Sequence, residues 1–269
     1  MLIIGEKINA SIPSTGKAIA EKDEEYLASL ARDQAEAGAD YIDVNAGDGR
    51  DTGSPPVAVM QWLVKIVQEA TDRPLCIDSD DPAVLEAALD GYRGEAVMIN
   101  SVTAEPERLR SVGRIVAKSG AGVIALVMKG AGVPRSVDER IEAADIIVDH
   151  LGREGIPRER IYFDPLVLPV SVDTTQALVT LKTIEALKGR YPEAKTVMGL
   201  SNISYGLPGR GIVNRSFFLM AAAAGLDAAI LNPLDVRMMS LVKVSDMLTG
   251  QDPFCRGYTR AYRKGLLKE

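Results

Sequence analysis

The sequence predicts a (β/α)8 barrel, a closed ring of eight parallel strands surrounded by helices. Three observations predict it: short apolar segments alternate with longer amphipathic ones, the alternation occurs eight times, and it uses almost all of the 269 residues. The apolar segments end about every 32 residues, close to the roughly 30 residues that a strand and its crossover helix require. Eight such units amount to roughly 250 residues, so we expect a single barrel domain over residues 1–269.

The eight predicted strands are nearly continuous hydrophobic runs rather than alternating ones. This pattern is typical of strands that are covered on both faces, as in a parallel sheet. The predicted strands are Leu2–Glu6, Ala39–Asn45, Pro74–Ser79, Ala96–Ser101, Gly122–Met128, Arg160–Pro165, Thr196–Asn202 and Asp227–Asn232.

The segments between the strands have helical periodicity and helix-boundary residues. Proline follows an acid at Asp81-Pro82 and at Glu105-Pro106, and proline is favoured at the first helical position. Glycine follows other segments, as at Gly38 and Gly120, where a left-handed residue commonly ends a helix. The predicted helices are Ala20–Ala37, Ala58–Glu69, Pro82–Leu89, Pro106–Lys118, Val137–Leu151, Thr174–Lys188, Val213–Ala224 and Asp235–Leu248.

A doubly wound open sheet is the alternative architecture. Such a sheet usually begins with a glycine-rich first turn, and Gly5-Glu6-Lys7-Ile8-Asn9 is not a turn of that kind. The chain also has no linker rich in proline or serine and no charge block that would divide it into domains. The barrel is therefore the preferred interpretation.

Composition excludes several classes of function. The 31 Lys and Arg residues are outnumbered by 37 Asp and Glu, so the net charge is −6 and nucleic acid is not an expected partner. No apolar run reaches the roughly 18–20 residues of a membrane span, and the first residues are not typical of a signal peptide. Two cysteines are too few for a disulfide framework, and a single histidine, His150, argues against a histidine-based metal site. We expect a cytoplasmic protein without a bound metal.

Polar residues stand where the predicted strands end, which is the edge of a barrel that carries the active site. These residues are Glu6 and Asn9, Asp43 and Asn45, Asp78, Asn100, Met128-Lys129, Asp164, Ser201-Asn202 and Asn232. Asp and Asn also cap helices and form turns. Asp78, Asn100 and Asp164 lie within the last strand residues, however, so we expect their side chains to point across the barrel mouth.

Carboxylates and amides in this arrangement suit a neutral, flat heterocycle that has several N–H donors. A carboxylate can accept paired N–H bonds from an amino-pyrimidinone, and an Asn amide can both donate and accept along the same edge. A sugar phosphate would instead favour glycines, cations and helix N-termini. The strand ends therefore indicate a pterin-like or purine-like base.

Six motifs follow one another along the chain: Ile4-Gly5-Glu6-Lys7-Ile8-Asn9, Asp43-Val44-Asn45-Ala46-Gly47, Cys76-Ile77-Asp78-Ser79, Met98-Ile99-Asn100-Ser101, Asp164-Pro165-Leu166-Val167-Leu168-Pro169 and Gly199-Leu200-Ser201-Asn202-Ile203-Ser204. In order and spacing they resemble the pterin-binding methyltransferase family, and within it the methyltetrahydrofolate:corrinoid/iron–sulfur protein methyltransferases. The wider group includes dihydropteroate synthase and the folate-binding module of cobalamin-dependent methionine synthase. The resemblance runs essentially from end to end and implies the same (β/α)8 TIM barrel, like that of dihydropteroate synthase.

The resemblance also implies a site. Carried over by motif, the pterin and folate contacts would be Asp78, Asn100, Asp164, Gly199, Ser201, Asn202 and Arg210, with Asn202 as the catalytic residue beside N5 of the folate. Glu6 and Asn9 are expected to support loops, and Asp43 and Asn45 to orient other groups. No role is expected for Cys76, Cys255 or His150.

The implied reaction is methyl transfer between N5 of (methyl)tetrahydrofolate and the cobalt of a corrinoid (cobalamin), in either direction. Asn202 would hydrogen-bond protonated N5, which makes the amine a better leaving group. The corrinoid-binding pattern Asp-x-His-x-x-Gly is missing, and Asp149-His150-Leu151-Gly152 does not match it. The corrinoid is therefore expected on a separate partner protein, and the family implies a homodimer. Neither the direction of transfer nor the pathway, acetyl-CoA synthesis or demethylation, can be read from the pterin-binding residues.

Three other functions remain open. Dihydropteroate synthase would need a Ser/Thr-Arg-Pro element after Asn45, where the chain has Ala46-Gly47-Asp48, and a late Arg-His pair. A lysine-dependent aldolase would use Lys129, although its position after Met128 favours a loop lysine. A folate-binding subunit without turnover would keep the pterin residues and lack the reaction.

Overall fold

In a computed structural model, which describes residues 1–49, 52–130 and 132–268, eight parallel strands close into a barrel. Each strand pairs with the next along the chain, and β8 closes the ring against β1. The strands are β1 (Leu2–Asn9), β2 (Tyr41–Asn45), β3 (Leu75–Asp78), β4 (Val97–Val102), β5 (Gly122–Leu126), β6 (Ile161–Asp164), β7 (Lys195–Gly199) and β8 (Ala228–Leu231). The predicted (β/α)8 class and all eight predicted strands are confirmed.

Helices cover the outside of the strands. They are α1 (Pro13–Glu21), α2 (Glu24–Glu36), α3 (Pro56–Ala70), α4 (Pro82–Gly91), α5 (Pro106–Ser119), α6 (Val137–Arg153), α7 (Gln176–Arg190), α8 (Arg210–Ala223), α9 (Val236–Leu248) and α10 (Arg256–Arg263). Proline begins α4 and α5 as predicted. Gly120 ends α5 at a φ of 74°, a left-handed conformation that costs glycine little.

The single predicted helix Ala20–Ala37 is wrong, because the chain breaks there into α1 and α2. Lys22 adopts a left-handed φ of 55° and ends α1. Asp23 then caps α2 by accepting the backbone N–H of Tyr26 at 3.0 Å. The apolar periodicity continues across the break, which is why the sequence pattern did not reveal it.

Two other boundaries differ from the predictions. The strand predicted to reach Asn202 ends at Gly199, and a 3₁₀ helix over Leu200–Ser204 follows it. Helix α10 was not predicted; it packs against α9 near the end of the chain.

Side chains that point into the barrel form a core of their own, made of Ile4, Cys76, Met98, Ile124, Tyr162, Val197 and Ala228. Because side chains alternate along a strand, the residue two positions further also points inward. At the carboxyl ends of the strands this second inward position is polar in β1, β3, β4 and β6. The fold therefore places a polar mouth above an apolar barrel interior.

Within the described ranges, none of the helices has the length and apolar character needed to cross a membrane.

Candidate functional site

The mouth of the barrel is lined by one inward-pointing residue from most of the strands. In five strands, the residue two positions after the interior core residue lies at the mouth. These residues are Glu6, Asp78, Asn100, Asp164 and Gly199, and Asn232 follows the end of β8. Asn45, Asp78 and Asn100 are register partners across β2, β3 and β4. The three residues predicted to point across the mouth are thus all on its inner wall.

Asp78 is held by groups from two neighbouring elements. The Asn45 amide donates to its Oδ2 at 2.9 Å. Burial raises the pKa of the Asp78 carboxyl, while the hydrogen bond from Asn45 and the positive charge of Arg108 act in the opposite direction. The prediction that Asn45 orients another group therefore agrees with its contact to Asp78.

Arg108, on α5, braces the loops that follow β3 and β4. Its guanidinium donates to the carbonyl oxygens of Ser79 and Ser101, with Nη2 at 2.8 and 2.6 Å respectively, and also contacts the carbonyl of Asp80. These bonds fix the backbone directly after Asp78 and directly after Asn100, which is joined to Ser101 by a cis peptide bond. Arg108 was not predicted from the sequence, because nothing in a helical arginine shows that it reaches back to a strand end.

Burial strongly perturbs the carboxyl group of Asp164. Burial raises its pKa from 3.8 to about 6, although the backbone N–H groups of Leu166 and Gly199 and the charge of Arg140 lower it. The Leu166 N–H donates to Oδ1 at 2.7 Å. Leu166 has a φ of 66°, a left-handed conformation that is strained for a bulky residue by about 1–3 kcal/mol. A carboxyl group with this pKa exchanges its proton near neutral pH.

Arg140, on α6, holds the strained segment after Asp164 in place. It is fully buried, and its Nη1 donates to the carbonyls of Pro165 and Leu166 at 2.7 and 3.1 Å. Its Nη2 donates to Oε1 of Gln176 at 3.0 Å. Burial lowers the pKa of Arg140 to about 10, so it remains charged at neutral pH. Sequence analysis missed this residue too, although its position within the buried stripe of α6 was a usable signal.

The wall after β7 carries the predicted catalytic residue. Asn202 lies exposed in the 3₁₀ helix, and a Cβ built on Gly199 would come within 3.4 Å of its Nδ2. That distance is an ordinary van der Waals contact, so the Asn202 amide lies directly beside the end of β7. The Gly199 N–H also donates to Asp164. The Asn202 amide and the Asp164 carboxyl therefore both lie beside Gly199.

Ser201 and Arg210, both predicted to contact folate, are engaged within the protein. The Ser201 hydroxyl donates to Glu6 at 3.0 Å. Arg210 donates to Oγ of Ser204 at 3.0 Å and to the carbonyl of Ser201 at 2.7 Å, which holds the 3₁₀ helix against the start of α8. Burial raises the pKa of Glu6, and the Ser201 hydrogen bond partly offsets that effect.

A cavity of about 310 Å³ lies beside this wall, between the ends of β1, β7 and β8. Its polar lining consists of Glu6, Ser201, Arg210, Asn214, Asn232 and Asp235. Asp78, Asn100 and Asp164 stand on the other side of the mouth. The carboxylates and amide on β3, β4 and β6 thus form one wall of the mouth, which we call the acceptor wall, and the cavity lies beside Glu6.

Other candidates from the sequence lie away from this arrangement. Lys129 forms an ion pair with Glu142 at 2.5 Å in the loop region after β5. Asn9 accepts the Ser11 N–H at 2.9 Å in a local turn. Cys76 is buried and Cys255 exposed, and both are unpaired thiols. In the portion of the chain with described coordinates, no cluster of three or more His, Cys, Asp or Glu side chains is placed to hold a metal ion.

The chemistry of the acceptor wall follows from its side chains. Asp78 and Asp164 supply carboxylate oxygens, and Asn100 supplies an amide between them on the barrel wall. Such a set recognises a planar, uncharged ring through its N–H groups. Asn202, at the rim, can stabilise a proton or a polar group on the opposite side of that ring.

Comparison with known proteins gives a consistent result. A model of the family described as pterin binding enzyme matches residues 5–232. The chain is 36% identical over 269 residues to the methylcorrinoid:tetrahydrofolate methyltransferase of Eubacterium limosum, covering 99% of this chain and 98% of that protein. It is 32% identical over 257 residues to methionine synthase of Mycobacterium tuberculosis, covering 90% of this chain and 21% of that longer protein.

Among solved structures, dihydropteroate synthase from Xanthomonas albilineans, in complex with 7,8-dihydropteroate, superimposes with a TM-score of 0.64. It is 20% identical and the superposition covers 94% of this chain and 93% of that one. At this identity the similarity establishes the barrel fold.

Proposed function

The chain belongs to the pterin binding enzyme family, and from that membership we propose that it is a methyltransferase acting between tetrahydrofolate and a corrinoid. The methyl group would move between N5 of the folate and the cobalt of a corrinoid carried on a separate protein. The observation that carries the proposal is the full-length similarity to a methylcorrinoid:tetrahydrofolate methyltransferase, at 36% identity. The acceptor wall at the barrel mouth supports it independently.

We propose that the pterin binds with its amino-pyrimidinone edge towards β3, β4 and β6. This edge presents adjacent N–H groups, and one carboxylate can accept two of them at once. Asp164 is suited to that pairing because two backbone N–H groups hold its position. Asp78 and Asn100 would accept or donate along the rest of the ring. In this orientation N5 lies towards Gly199 and Asn202.

Asn202 would act at the reacting nitrogen. Breaking the N5–CH3 bond leaves the bonding pair on N5, and a proton on N5 compensates for that charge. The Asn202 carbonyl can accept a hydrogen bond from protonated N5, and the amide can turn to donate to the unprotonated form. A contact that is stronger in the transition state than in the ground state raises the rate rather than the affinity.

The same residues serve both directions of transfer, because the forward and reverse reactions share one transition state. The corrinoid protein would dock over the mouth and supply the cobalt that exchanges the methyl group.

The proposal is tested by following methyl transfer between 5-methyltetrahydrofolate and free cob(I)alamin spectroscopically, and the reverse reaction from methylcobalamin to tetrahydrofolate. We expect transfer by the wild type and by Asp90→Ala, whose acid is exposed on α4, and a loss of transfer in Asp78→Ala. Absence of folate binding would overturn the proposal. Folate binding without transfer to free or protein-bound corrinoid would instead favour a folate-binding subunit.

We further propose that the protein works as a homodimer of single-domain barrels in the cytoplasm. Support for the dimer comes from apolar side chains on α7 and α8: Leu178, Ile212 and Met220 are 56%, 69% and 48% exposed. Burying such side chains against a second copy is favourable. Sedimentation equilibrium should give a dimer for the wild type and for Leu248→Glu, and a monomer for Ile212→Glu. A monomeric wild type would refute the proposed assembly.

A further inference from the structure

Apolar side chains are exposed on one side of the barrel mouth. Val172, Tyr205 and Leu234, in the loops after β6, β7 and β8, are 77%, 67% and 37% exposed. Val236, at the start of α9, is exposed as well, and we call these four residues the apolar rim. Among the described residues, the loops after β1, β2, β3 and β4 carry no exposed large hydrophobic side chain, and the loop after β5 carries Val133. The exposed apolar surface of the mouth is therefore concentrated after β6, β7 and β8.

Hydrogen bonds hold two residues of the apolar rim beside Asn202. The Tyr205 N–H donates to the carbonyl of Asn202 at 3.1 Å, and the Tyr205 carbonyl accepts the hydroxyl of Ser171 at 2.6 Å. Val172 follows Ser171 directly in the chain. Val172 and Tyr205 thus belong to two loops that are joined to each other and to the segment carrying the proposed catalytic amide.

The loop after β8 borders the cavity beside Glu6. Asn232 and Asp235 both line that cavity. Leu234 lies between them, and its N–H donates to Oδ1 of Asn232 at 3.0 Å. Arg215, on α8, donates to Oδ2 of Asp235 at 2.8 Å, which fixes the loop against α8. The apolar rim therefore follows the edge of the mouth from β6 to β8 and passes Asn202 on the way.

We propose that the apolar rim is the surface on which the corrin ring lies while the methyl group is exchanged beside Asn202. This inference rests on the proposed function. A corrinoid holds its cobalt at the centre of a broad ring whose edge carries methyl and methylene groups. When the cobalt is close to the methyl group on N5, that ring extends over the residues that surround N5.

The chemistry of the apolar rim suits such a ring. Its four side chains carry no charge, and burying them against methyl and methylene groups is favourable. Tyr205 also offers a flat aromatic face, and its hydroxyl can remain in water. An exposed apolar patch of this kind commonly marks a binding surface, and here it adjoins the amide at which the transfer takes place.

Binding of free cobalamin to protein saturated with 5-methyltetrahydrofolate tests this role. Cob(II)alamin is the probe, because it lacks the filled cobalt orbital that attacks the methyl group, and equilibrium dialysis without oxygen measures its dissociation constant. Tyr205→Ser is expected to weaken binding about tenfold and Val172→Ser about threefold, because apolar contact is lost. The kcat/KM for cob(I)alamin in methyl transfer should fall by similar factors.

Two further variants separate the apolar rim from general effects on the surface. Val133→Ser is the matched control, since it removes an exposed valine outside the rim, and it should bind cob(II)alamin like the wild type. Tyr205→Phe keeps the aromatic ring and should recover binding to within about threefold of the wild type. In all of these variants the dissociation constant of tetrahydrofolate, measured by calorimetry, should change less than about twofold.

Three results would overturn the inference: a wild type that does not bind cob(II)alamin, a Tyr205→Ser variant that binds it as tightly as the wild type, or a Tyr205→Ser variant that loses tetrahydrofolate affinity to the same degree. The last would place Tyr205 in the folate site. A wild type that binds cob(II)alamin but transfers no methyl group would instead refute the proposed function and leave the apolar rim as a corrin-binding surface.

Discussion

Replacing Asp164 with Asn should change how stability depends on pH. The folded pKa of Asp164 is raised to about 6 from an ordinary value of 3.8, so the ionised form is disfavoured in the folded protein. The contribution of Asp164 to the free energy of unfolding is therefore fully present below about pH 4, and it is lost as the pH rises through 6. At about 1.4 kcal/mol per pH unit, ionised Asp164 costs the unliganded fold about 3 kcal/mol at neutral pH, and about half of that cost arises between pH 5 and 7.5.

Asp164→Asn keeps the shape of the side chain and removes its charge. We therefore expect the free energy of unfolding of the variant, relative to the wild type, to increase by about 1.4 kcal/mol between pH 5 and pH 7.5. One backbone N–H, of Leu166 or Gly199, loses its acceptor in the variant, which adds a penalty that does not depend on pH. The change with pH, and not the absolute difference, is thus the diagnostic quantity.

Urea denaturation followed by circular dichroism at several pH values between 5 and 7.5 measures this change. Asp90→Asn serves as the control, because its acid is exposed on α4, and its stability should follow that of the wild type at each pH. Parallel stability curves for the wild type and Asp164→Asn would refute the reasoning. The same substitution should weaken tetrahydrofolate binding. The carboxylate destabilises the unliganded protein, and we attribute its presence to a contact with the ligand that the variant would lose.

Three further predictions concern groups around the mouth. Arg140→Met should lower the free energy of unfolding by about 3 kcal/mol in urea denaturation, because buried carbonyls lose their donors; Arg153→Met, at an exposed site, should change it by less than about 0.5 kcal/mol. Arg108→Met removes a charge that lowers the pKa of Asp78, so the acid limit of tetrahydrofolate binding, measured by calorimetric titration, should move to higher pH; an unchanged limit would contradict this. Lys129→Ala should leave the methyl-transfer rate within about twofold of the wild type, and a large loss, or borohydride trapping of an aldehyde on Lys129, would reopen the aldolase alternative.

The sequence was most informative where one physical rule decides the outcome. Continuous apolar runs predicted the strands. An acid or amide at the last position of a strand predicted a side chain that points into the barrel, as at Asp78 and Asp164. The first follows from the burial of both faces of a parallel sheet, and the second from the alternation of side chains along a strand. The prediction of one helix over Ala20–Ala37, where the structure has two, failed at Lys22, because a left-handed lysine has no reliable sequence signature.

The supports of the site were harder to predict than its inner wall. Arg140 and Arg108 reach backbone carbonyls that lie far from them in sequence, and only the packing of helix on strand reveals those contacts. Sequence alone also did not show that Ser201 and Arg210 bond within the protein, because that depends on the 3₁₀ helix after β7.

The central claim is that this barrel mouth transfers a methyl group at N5, with Asn202 as the residue that favours the transition state. A single-turnover measurement with saturating 5-methyltetrahydrofolate and cob(I)alamin tests it most directly when Asn202→Ala is compared with the wild type. We expect the rate constant to fall about 100-fold or more while the dissociation constant of the folate changes less than about fivefold. An unchanged rate constant, or a loss confined to affinity, would contradict the account.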